Sequence, residues 1–170
     1  MDIFIEQIVK KKTGTKDYLV FIAAFLGGFI LIIASMALVP SISIFIIGGV
    51  CVGAYYLITS RNLEYEYSVT NGEVTIDKII NRRKRKRVIS IEAHDIEVLE
   101  KYKPEEQSAK KYSERLFVSE SDDGKDAWSF VTRLPQKGNV LVVFSANEKT
   151  LLAMKPFLTR QVAINAFGRN

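Results

Sequence analysis

The hydrophobic pattern of the chain changes near residue 61. From Tyr18 to Ser60 the sequence contains no Asp, Glu, Lys, Arg or His, and Pro40-Ser41 interrupts this apolar run. A helix needs about 20 apolar residues to cross a bilayer core of roughly 30 Å. Tyr18–Val39 satisfies that length, and Ile42–Ile58 is near its lower limit. The pattern therefore predicts a transmembrane helical hairpin over residues 18–60 that turns at Pro40.

Beyond Arg61, apolar and polar residues alternate, which is typical of half-buried strands. Tyr65, Tyr67 and Val69 alternate with polar residues, and Asn71-Gly72 then provides the dipeptide that a two-residue hairpin turn favours. Similar alternation recurs as far as Ser145. It predicts seven strands in residues 61–170, with the polar stretch 103–113 as a loop or irregular insertion.

The end of the chain has a helical period. Asn147 is a candidate N-cap, and Pro156 is expected to kink the helix that follows. The fold class expected from these elements is an α+β membrane protein. A helical hairpin precedes a seven-stranded antiparallel barrel or sandwich, and the C-terminal helix caps it.

The N-terminal residues 1–17 are expected to form an interfacial helix or a disordered tail. Ile3, Phe4, Ile8 and Val9 lie near one face of such a helix, which fits a segment at the inner membrane interface. A cleaved signal peptide is the competing interpretation. It is disfavoured because the first apolar run is long, lacks a clear Ala-x-Ala site and is followed at once by a second run.

Positive charges flank the predicted hairpin at one side only. Lys10-Lys11-Lys12 and Lys16 precede the first span and Arg61 follows the second, whereas the turn at Pro40 has no charge. Positive flanks are retained in the cytoplasm. We therefore expect a multi-pass protein of the cell inner (cytoplasmic) membrane, with both termini cytoplasmic.

Small residues in the two spans suggest close helix packing. Gly49-x-x-x-Gly53 lies in the second span, and its candidate partner in the first span is Ala23-x-x-x-Gly27 or Ala24-x-x-x-Gly28. Folding the chain at Pro40 brings Gly27 to a similar depth as Gly53. Small residues let membrane helices approach closely. Packing within the hairpin is the favoured interpretation, and a seam between two copies is the alternative.

Six consecutive basic residues dominate the charge of the soluble part: Arg82, Arg83, Lys84, Arg85, Lys86 and Arg87. Residues 61–170 have a net charge of +4 with this run and −2 without it. Because one strand leads away from the membrane and the next returns, the run should face the inner leaflet, where it would contact anionic lipid headgroups. The alternatives are that it only sets topology or solvates a turn, and, less favoured, that it binds nucleic acid.

No residues form a recognisable catalytic or metal-binding motif. Cys51 is the only cysteine and lies in the second span, and His94 is the only histidine. The acidic residues around Gly124 lack the terminal Glu of a calcium loop. We therefore expect no enzyme activity, no metal site and no cofactor.

Several short motifs follow one another in the first part of residues 61–170: Tyr65-x-Tyr67-x-Val69, Thr70-Asn71-Gly72, Val74-x-Ile76, Arg82-Arg83-x-Arg85 and Val88-Ile89-Ser90-Ile91. Together they resemble the opening of the bacterial pleckstrin-homology-like domains. Many such proteins place the domain after two membrane spans. The resemblance implies a PH-like domain over residues 61–170 that binds a protein partner or self-assembles as a scaffold. Eukaryotic lipid-binding members have basic residues around their first inter-strand loop, and here Asn71-Gly72 has none.

Overall fold

Two helices form the first unit, Thr13–Leu63, of the computed structural model, which describes residues 2–108 and 110–168. Helix α1 covers Thr15–Leu38, a single 3-10 turn covers Pro40–Ile42, and α2 covers Ser43–Ser60. The first helix ends before Pro40 because proline disfavours the helical conformation of the residue that precedes it. Both helices are long and apolar enough to cross a membrane, with mean hydropathies of 2.6 and 2.0. They fit a two-span membrane protein.

An ion pair links the two open ends of this helical unit. Asp17 lies in the first turn of α1 and accepts a hydrogen bond from the Gly14 backbone N–H at 3.1 Å. Its other oxygen lies 3.4 Å from Nη1 of Arg61, the residue that follows α2. The pair therefore holds the start of the first helix next to the end of the second.

The second unit, Met1–Lys12 together with Glu64–Asn170, contains two four-stranded sheets. Sheet A has the order β1-β2-β3-β4. Its strands are β1 Phe4–Lys10, β2 Leu63–Thr70, β3 Glu73–Ile80 and β4 Lys84–Glu92.

Strand β1 corrects the prediction for the N-terminus. Residues 4–10 form neither an interfacial helix nor a tail, because they pair antiparallel with β2 from Phe4↔Thr70 to Lys10↔Glu64. The side chains alternate between half-buried and exposed, as strand geometry requires. The apolar residues on both faces of this short segment mimic the helical period in the sequence.

Sheet B has the order β5-β7-β8-β6, which differs from the order of these strands along the chain. Its strands are β5 Ile96–Lys101, β6 Glu114–Val118, β7 Trp128–Leu134 and β8 Gly138–Phe144. Strand β8 inserts between β7 and β6, and it pairs in parallel with β6. The described residues thus form eight strands, where seven antiparallel ones were predicted. The extra strand is β1, and the β6–β8 pair is parallel.

The core lies between the inner faces of the two sheets, and Tyr67 joins them. Its ring contacts Phe144 edge-on with centroids 5.7 Å apart. Its hydroxyl donates to the Val118 carbonyl at 2.5 Å and accepts from the Ser145 backbone N–H at 3.1 Å. Burial raises the pKa of Tyr67, so the hydroxyl remains a donor across the physiological range.

Two short helices, with a 3-10 turn between them, replace the single predicted C-terminal helix. Asn147 caps α4 (Glu148–Met154) by accepting from the Thr150 N–H at 2.8 Å, as expected. The turn Lys155–Phe157 contains Pro156, and α5 then covers Arg160–Phe167. Proline interrupts the helical hydrogen bonding, so the kink becomes a break. Buried side chains of this segment complete the main core: Leu151, Met154, Leu158 and Val162.

The polar insertion at 103–113 covers the outer face of sheet B. It contains the short helix α3, Pro104–Ser108. Tyr102 and Tyr112 pack on a small second core formed by Ala127, Val131, Leu141 and Val143. Gln107 is buried and donates to the Ser129 hydroxyl at 2.7 Å. The segment is therefore part of the folded domain.

Gln7 on β1 connects the N-terminal strand to the start of α4. Its amide nitrogen donates to the Ser145 carbonyl, and its amide oxygen accepts from the Asn147 N–H and the Thr150 hydroxyl, at 2.8 to 2.9 Å. Lys11 and Lys12 extend the attachment through ion pairs to Asp122 and Glu120. Residues that precede the helices thus belong to the same folded unit as residues that follow them.

We predict that the domain needs β1 and does not need the helices. A chain in which a short Asn-Gly turn joins Lys10 to Glu64 should fold as a soluble domain with one cooperative thermal transition. Residues 61–170 alone should be less stable by several kcal/mol, because β2 becomes an unpaired edge and the Gln7 hydrogen bonds are lost (roughly 1 kcal/mol each).

A matched control keeps the join and replaces residues 4–10 with Gly and Ser. It should melt like the 61–170 fragment in circular dichroism. If the fragment melts at the same temperature as the joined chain, β1 is not an integral strand.

Candidate functional site

The basic run forms the tip of the hairpin between β3 and β4, which we call the basic hairpin (residues 78–88). Asn81 and Arg82 both have positive φ, 50° and 54°, and the Arg83 N–H donates to the Ile80 carbonyl at 3.1 Å. Two consecutive left-handed residues are the feature of a type I′ turn, which matches the twist of the flanking strands. Asn tolerates this conformation well, whereas Arg82 adopts it at a cost of about 1–2 kcal/mol.

Three arginines of the run form ion pairs with carboxylates of sheet A. Arg82 pairs with Glu64 at 3.1 Å, Arg85 with Glu66 at 2.6 Å and Arg87 with Asp77 at 3.1 Å.

These carboxylates alternate with the core residues of β2 and β3, and so they lie on the outer face of the sheet. They are nevertheless only 8%, 5% and 5% exposed, for Glu64, Glu66 and Asp77 respectively. Buried charges require partners, so the three arginines stabilise the sheet.

The other three members of the run have no such partner. Within residues 2–108 and 110–168, no side-chain hydrogen bond or ion pair involves Arg83, Lys84 or Lys86. Lys86 lies directly opposite Lys78, and Lys84 lies opposite Ile80. The run is therefore divided into paired arginines and unpaired cations.

A register shift in the β3–β4 ladder determines this division. Ile76 pairs with Ile89 but the next residue, Asp77, pairs with Arg87, which leaves Val88 as an extra residue in β4. A bulge of this kind changes the alternation of the bulged strand. Arg87 therefore lies beside Asp77 on the outer face of the sheet.

The electrostatics of Glu66 and Arg87 reflect the pairing. Burial raises the pKa of Glu66; the charge of Arg85 opposes this shift, and nearby Glu6 adds to it. The hydrogen bond to Asp77, together with its charge, raises the pKa of Arg87. Glu66 thus depends on its arginine to remain ionised in a buried position.

The basic hairpin lies at the end of sheet A to which both helix linkers attach. Glu64, the partner of Arg82, follows residues 61–62, which connect α2 to β2. Lys10, opposite Glu64, precedes residues 11–14, which connect β1 to α1. Arg82, at the tip of the hairpin, thus contacts Glu64 near the end of β2 that continues into α2.

Among the candidate glycines of the two helices, Gly28 of Ala24-x-x-x-Gly28 is the one that lies close to the neighbouring helix. A Cβ added at Gly27, Gly49 or Gly53 meets no atom within 4 Å, whereas one at Gly28 approaches the Val50 side chain at 3.0 Å. The close contact between α1 and α2 thus lies at Gly28. The alternative seam between two copies remains a prediction for Gly49 and Gly53.

The remaining candidate residues lie on the surface. His94 and Asp95 are 3.2 Å apart with most or half of each side chain exposed. Lys11 pairs with Asp122, and the Ser121 hydroxyl lowers the pKa of Asp123. In the part of the chain that the structure describes, no group of three or more His, Cys, Asp or Glu residues is arranged to hold a metal ion.

Sequence reasoning missed Glu64, Glu66, Asp77 and Lys78 as members of the site. The signal was present in Glu64-x-Glu66, since two acidic residues on one face of a strand require compensation when that face is covered. The partners could not be assigned because the pairing crosses strands. Arg85 reaches Glu66 over the intervening strand β3.

We predict that Arg85→Gln destabilises the domain and that Lys86→Gln does not. Loss of the Arg85 partner leaves Glu66 buried with its charge uncompensated, which should cost about 1–3 kcal/mol at neutral pH. The control, Lys86→Gln, removes the same charge at the adjacent position without breaking an ion pair. Thermal melts of the two variants in detergent measure the difference.

The effect should depend on pH. Because the folded-state pKa of Glu66 lies above its usual value of 4.5, protonation stabilises the folded form, and this contribution is lost as the pH rises through the folded-state pKa. The deficit of Arg85→Gln should therefore shrink as the pH is lowered toward 4.5. A deficit that is constant with pH would show that Glu66 does not carry the effect.

Comparison with known proteins identifies the domain. The sequence profile of the family described as Bacterial PH-like domain (DUF6106) matches residues 1–164. None of the curated proteins compared with the chain matches it. The matched range includes β1, both helices and both sheets, so the helical unit is part of the family's sequence. The chain belongs to the Bacterial PH-like domain (DUF6106) family.

Proposed function

We propose that the protein is a non-enzymatic integral membrane protein that presents its PH-like domain at the cytoplasmic membrane face. The domain would bind a protein partner or a second copy of the chain. The β1–β2 pairing carries this proposal. Because these strands pair in one sheet, both ends of the helical unit must emerge on the same side of a membrane. An even number of spans satisfies that requirement, and α1 and α2 provide two.

The same pairing supports an uncleaved N-terminus. Cleavage after α1 would separate β1 from the rest of the chain, together with the hydrogen bonds of Gln7. The positive flanks support a cytoplasmic domain, since Lys16 and Arg61 adjoin the open ends of the helices and the turn at Pro40–Ile42 is uncharged. The inner (cytoplasmic) membrane is the proposed location.

A binding role is supported by the family and by apolar side chains exposed on the sheet unit. Phe4 and Ile8 are 64% and 57% exposed on the outer face of β1, and Leu152 of α4 is 50% exposed. PH-like domains bind partners through surfaces, and no reaction is implied by the fold. Phe4 and Ile8 are the proposed contact residues for a protein partner.

The lone cysteine tests the membrane topology. Cys51 lies in α2, and we expect it to resist a water-soluble maleimide in intact membranes and to react after detergent is added. In a Cys51→Ala chain, Ser41→Cys should react only from outside the cell, and His94→Cys only after the cytoplasmic face is opened. Labelling of Cys51 in sealed membranes without detergent would rule out a spanning α2.

Gentle solubilisation tests the binding role. The full chain purified from its native membrane should carry a stoichiometric protein or run as a homo-oligomer, as measured by mass photometry. Phe4→Ser with Ile8→Ser should release that partner while leaving the melting temperature within a few degrees, because both side chains face solvent. A monomer without a partner from native membranes contradicts the proposal.

A second candidate function is an anionic-lipid surface sensor, with residues 82–87 as the contact. The observation that favours it is the unpaired cations at the end of the sheet that continues into the helices. Nucleic-acid binding is less favoured, because half of the run is already engaged with carboxylates and no aromatic residue interleaves it.

A further inference from the structure

We infer that the two faces of the basic hairpin have separate roles, and that its lysine face contacts anionic lipid headgroups while its arginine face holds the sheet together. The lysine face consists of Lys78, Lys84 and Lys86, and the arginine face consists of Arg85 and Arg87. The inference rests on the proposed function, since it needs the helices in a bilayer. It assigns the lipid contact to two residues of the basic run, Lys84 and Lys86, together with Lys78 on the neighbouring strand.

Strand alternation separates the faces. Arg85 and Arg87 lie opposite Ile79 and Asp77, so they project to the outer face of sheet A. Lys84 and Lys86 are their immediate neighbours and project to the other side, together with Lys78 and Ile80. At this end of the hairpin both lysines of β4 are exposed, so this side is open to solvent.

Repulsion between lysines of the lysine face lowers the stability of the domain. Lys78 and Lys86 are directly opposite each other, and such like-charge pairs destabilise a sheet. Each of the three nearby carboxylates already has an arginine partner. Within the described residues no carboxylate pairs with Lys78, Lys84 or Lys86, so an external anion is the available compensation.

The covalent chain selects the source of that anion. Residues 61–62 are the whole linker from α2 to β2, and Arg82 pairs with Glu64 just beyond it. Three Cα steps extend about 10 Å at most. A bilayer that holds α2 therefore supplies headgroup phosphates near the hairpin at high local concentration, which a free phosphate in solution does not match.

Residue type agrees with these positions. The planar guanidinium of arginine suits carboxylate pairs in buried sites, whereas the compact ammonium of lysine is strongly hydrated and acts as a point charge. Lipid headgroups are hydrated and mobile, so a lysine ammonium contributes about as much to binding them as the directional guanidinium of an arginine does. Arg83 lies in the turn before β4 and forms no ion pair within residues 2–108 and 110–168, so its charge adds to that of this end.

The test measures amide hydrogen exchange of residues 79–87 in the full chain. The protein is reconstituted in nanodiscs of phosphatidylcholine alone and of phosphatidylcholine mixed with phosphatidylglycerol. Amides of the wild-type hairpin should exchange slower in the anionic discs by on the order of tenfold, since the lysines are attracted to such a surface. About 0.5 M salt should abolish the difference.

Two variants with the same change in charge separate the faces. Lys84→Gln with Lys86→Gln should remove the lipid-dependent difference without lowering the melting temperature, which can rise slightly because the repulsion between Lys78 and Lys86 is relieved. Arg85→Gln with Arg87→Gln should lower the melting temperature and retain the difference, because the ratio between the two lipids cancels the loss of stability. If the double arginine variant does not fold, Arg87→Gln and Lys86→Gln provide the same comparison.

Each result has a defined meaning. Equal exchange in both lipids, with the chain co-eluting with the discs, overturns the lipid contact but leaves the membrane protein intact. Failure to co-elute with discs contradicts the proposed function itself. Equal loss of the lipid effect in both double variants overturns the division between faces. Inorganic phosphate added to zwitterionic discs should not slow exchange, and slowing would assign the site to a free anion.

Discussion

The pairing of β1 with β2 is the constraint on which the rest of this structure depends. The helical unit occupies the position of a hairpin turn between two neighbouring strands. The entropic cost of closing a loop rises slowly with its length, by about 0.6 kcal/mol for each doubling, and a folded insertion reduces it further. A large insertion is thus compatible with a stable sheet. It also attaches the helices to the domain at two points, which a single linker cannot do.

The charges of sheet A follow from this arrangement. The strand that returns from the helices carries Glu64 and Glu66 on its outer face, and this face is covered. Carboxylates in such a position are stable only with partners, and Arg82 and Arg85 provide them from the opposite edge of the sheet. Six consecutive basic residues in a hairpin would otherwise repel one another. Here three of them neutralise carboxylates of the sheet, and within the described residues the other three form no ion pair.

Sequence patterns correctly predicted the features that depend only on residues close together in the chain. The turn at Asn71-Gly72 forms as expected, with positive φ at both residues, and the alternation of Tyr65 and Tyr67 marks buried positions of β2. The capping role of Asn147 is confirmed as well. These features depend on neighbours within a few residues in the sequence, and so short patterns contain the information.

Features that depend on distant partners were not predicted. Strand β1 pairs with residues that follow the two helices in the sequence. Its own pattern is ambiguous, because apolar residues occur at both its half-buried and its exposed positions. The parallel pairing of β6 with β8 follows from the insertion of β8 into the sheet. Neither arrangement leaves a periodic signal in a short window of sequence.

The bulge at Val88 is the clearest example of a feature of the site that the sequence pattern does not predict. Counting back by twos from the buried Ile91 and Ile89 would place Arg87 and Arg85 on the inner side and the lysines on the outer side. One extra residue reverses that assignment, and each arginine then meets a carboxylate. A basic run is therefore not a uniform surface. Its residue types follow the shifted register. Arg85 and Arg87 lie where a buried carboxylate needs a partner, and Lys84 and Lys86 lie where the described residues offer none. This distribution suits the two side chains, because the planar guanidinium of arginine fits a carboxylate and the ammonium of lysine is strongly hydrated.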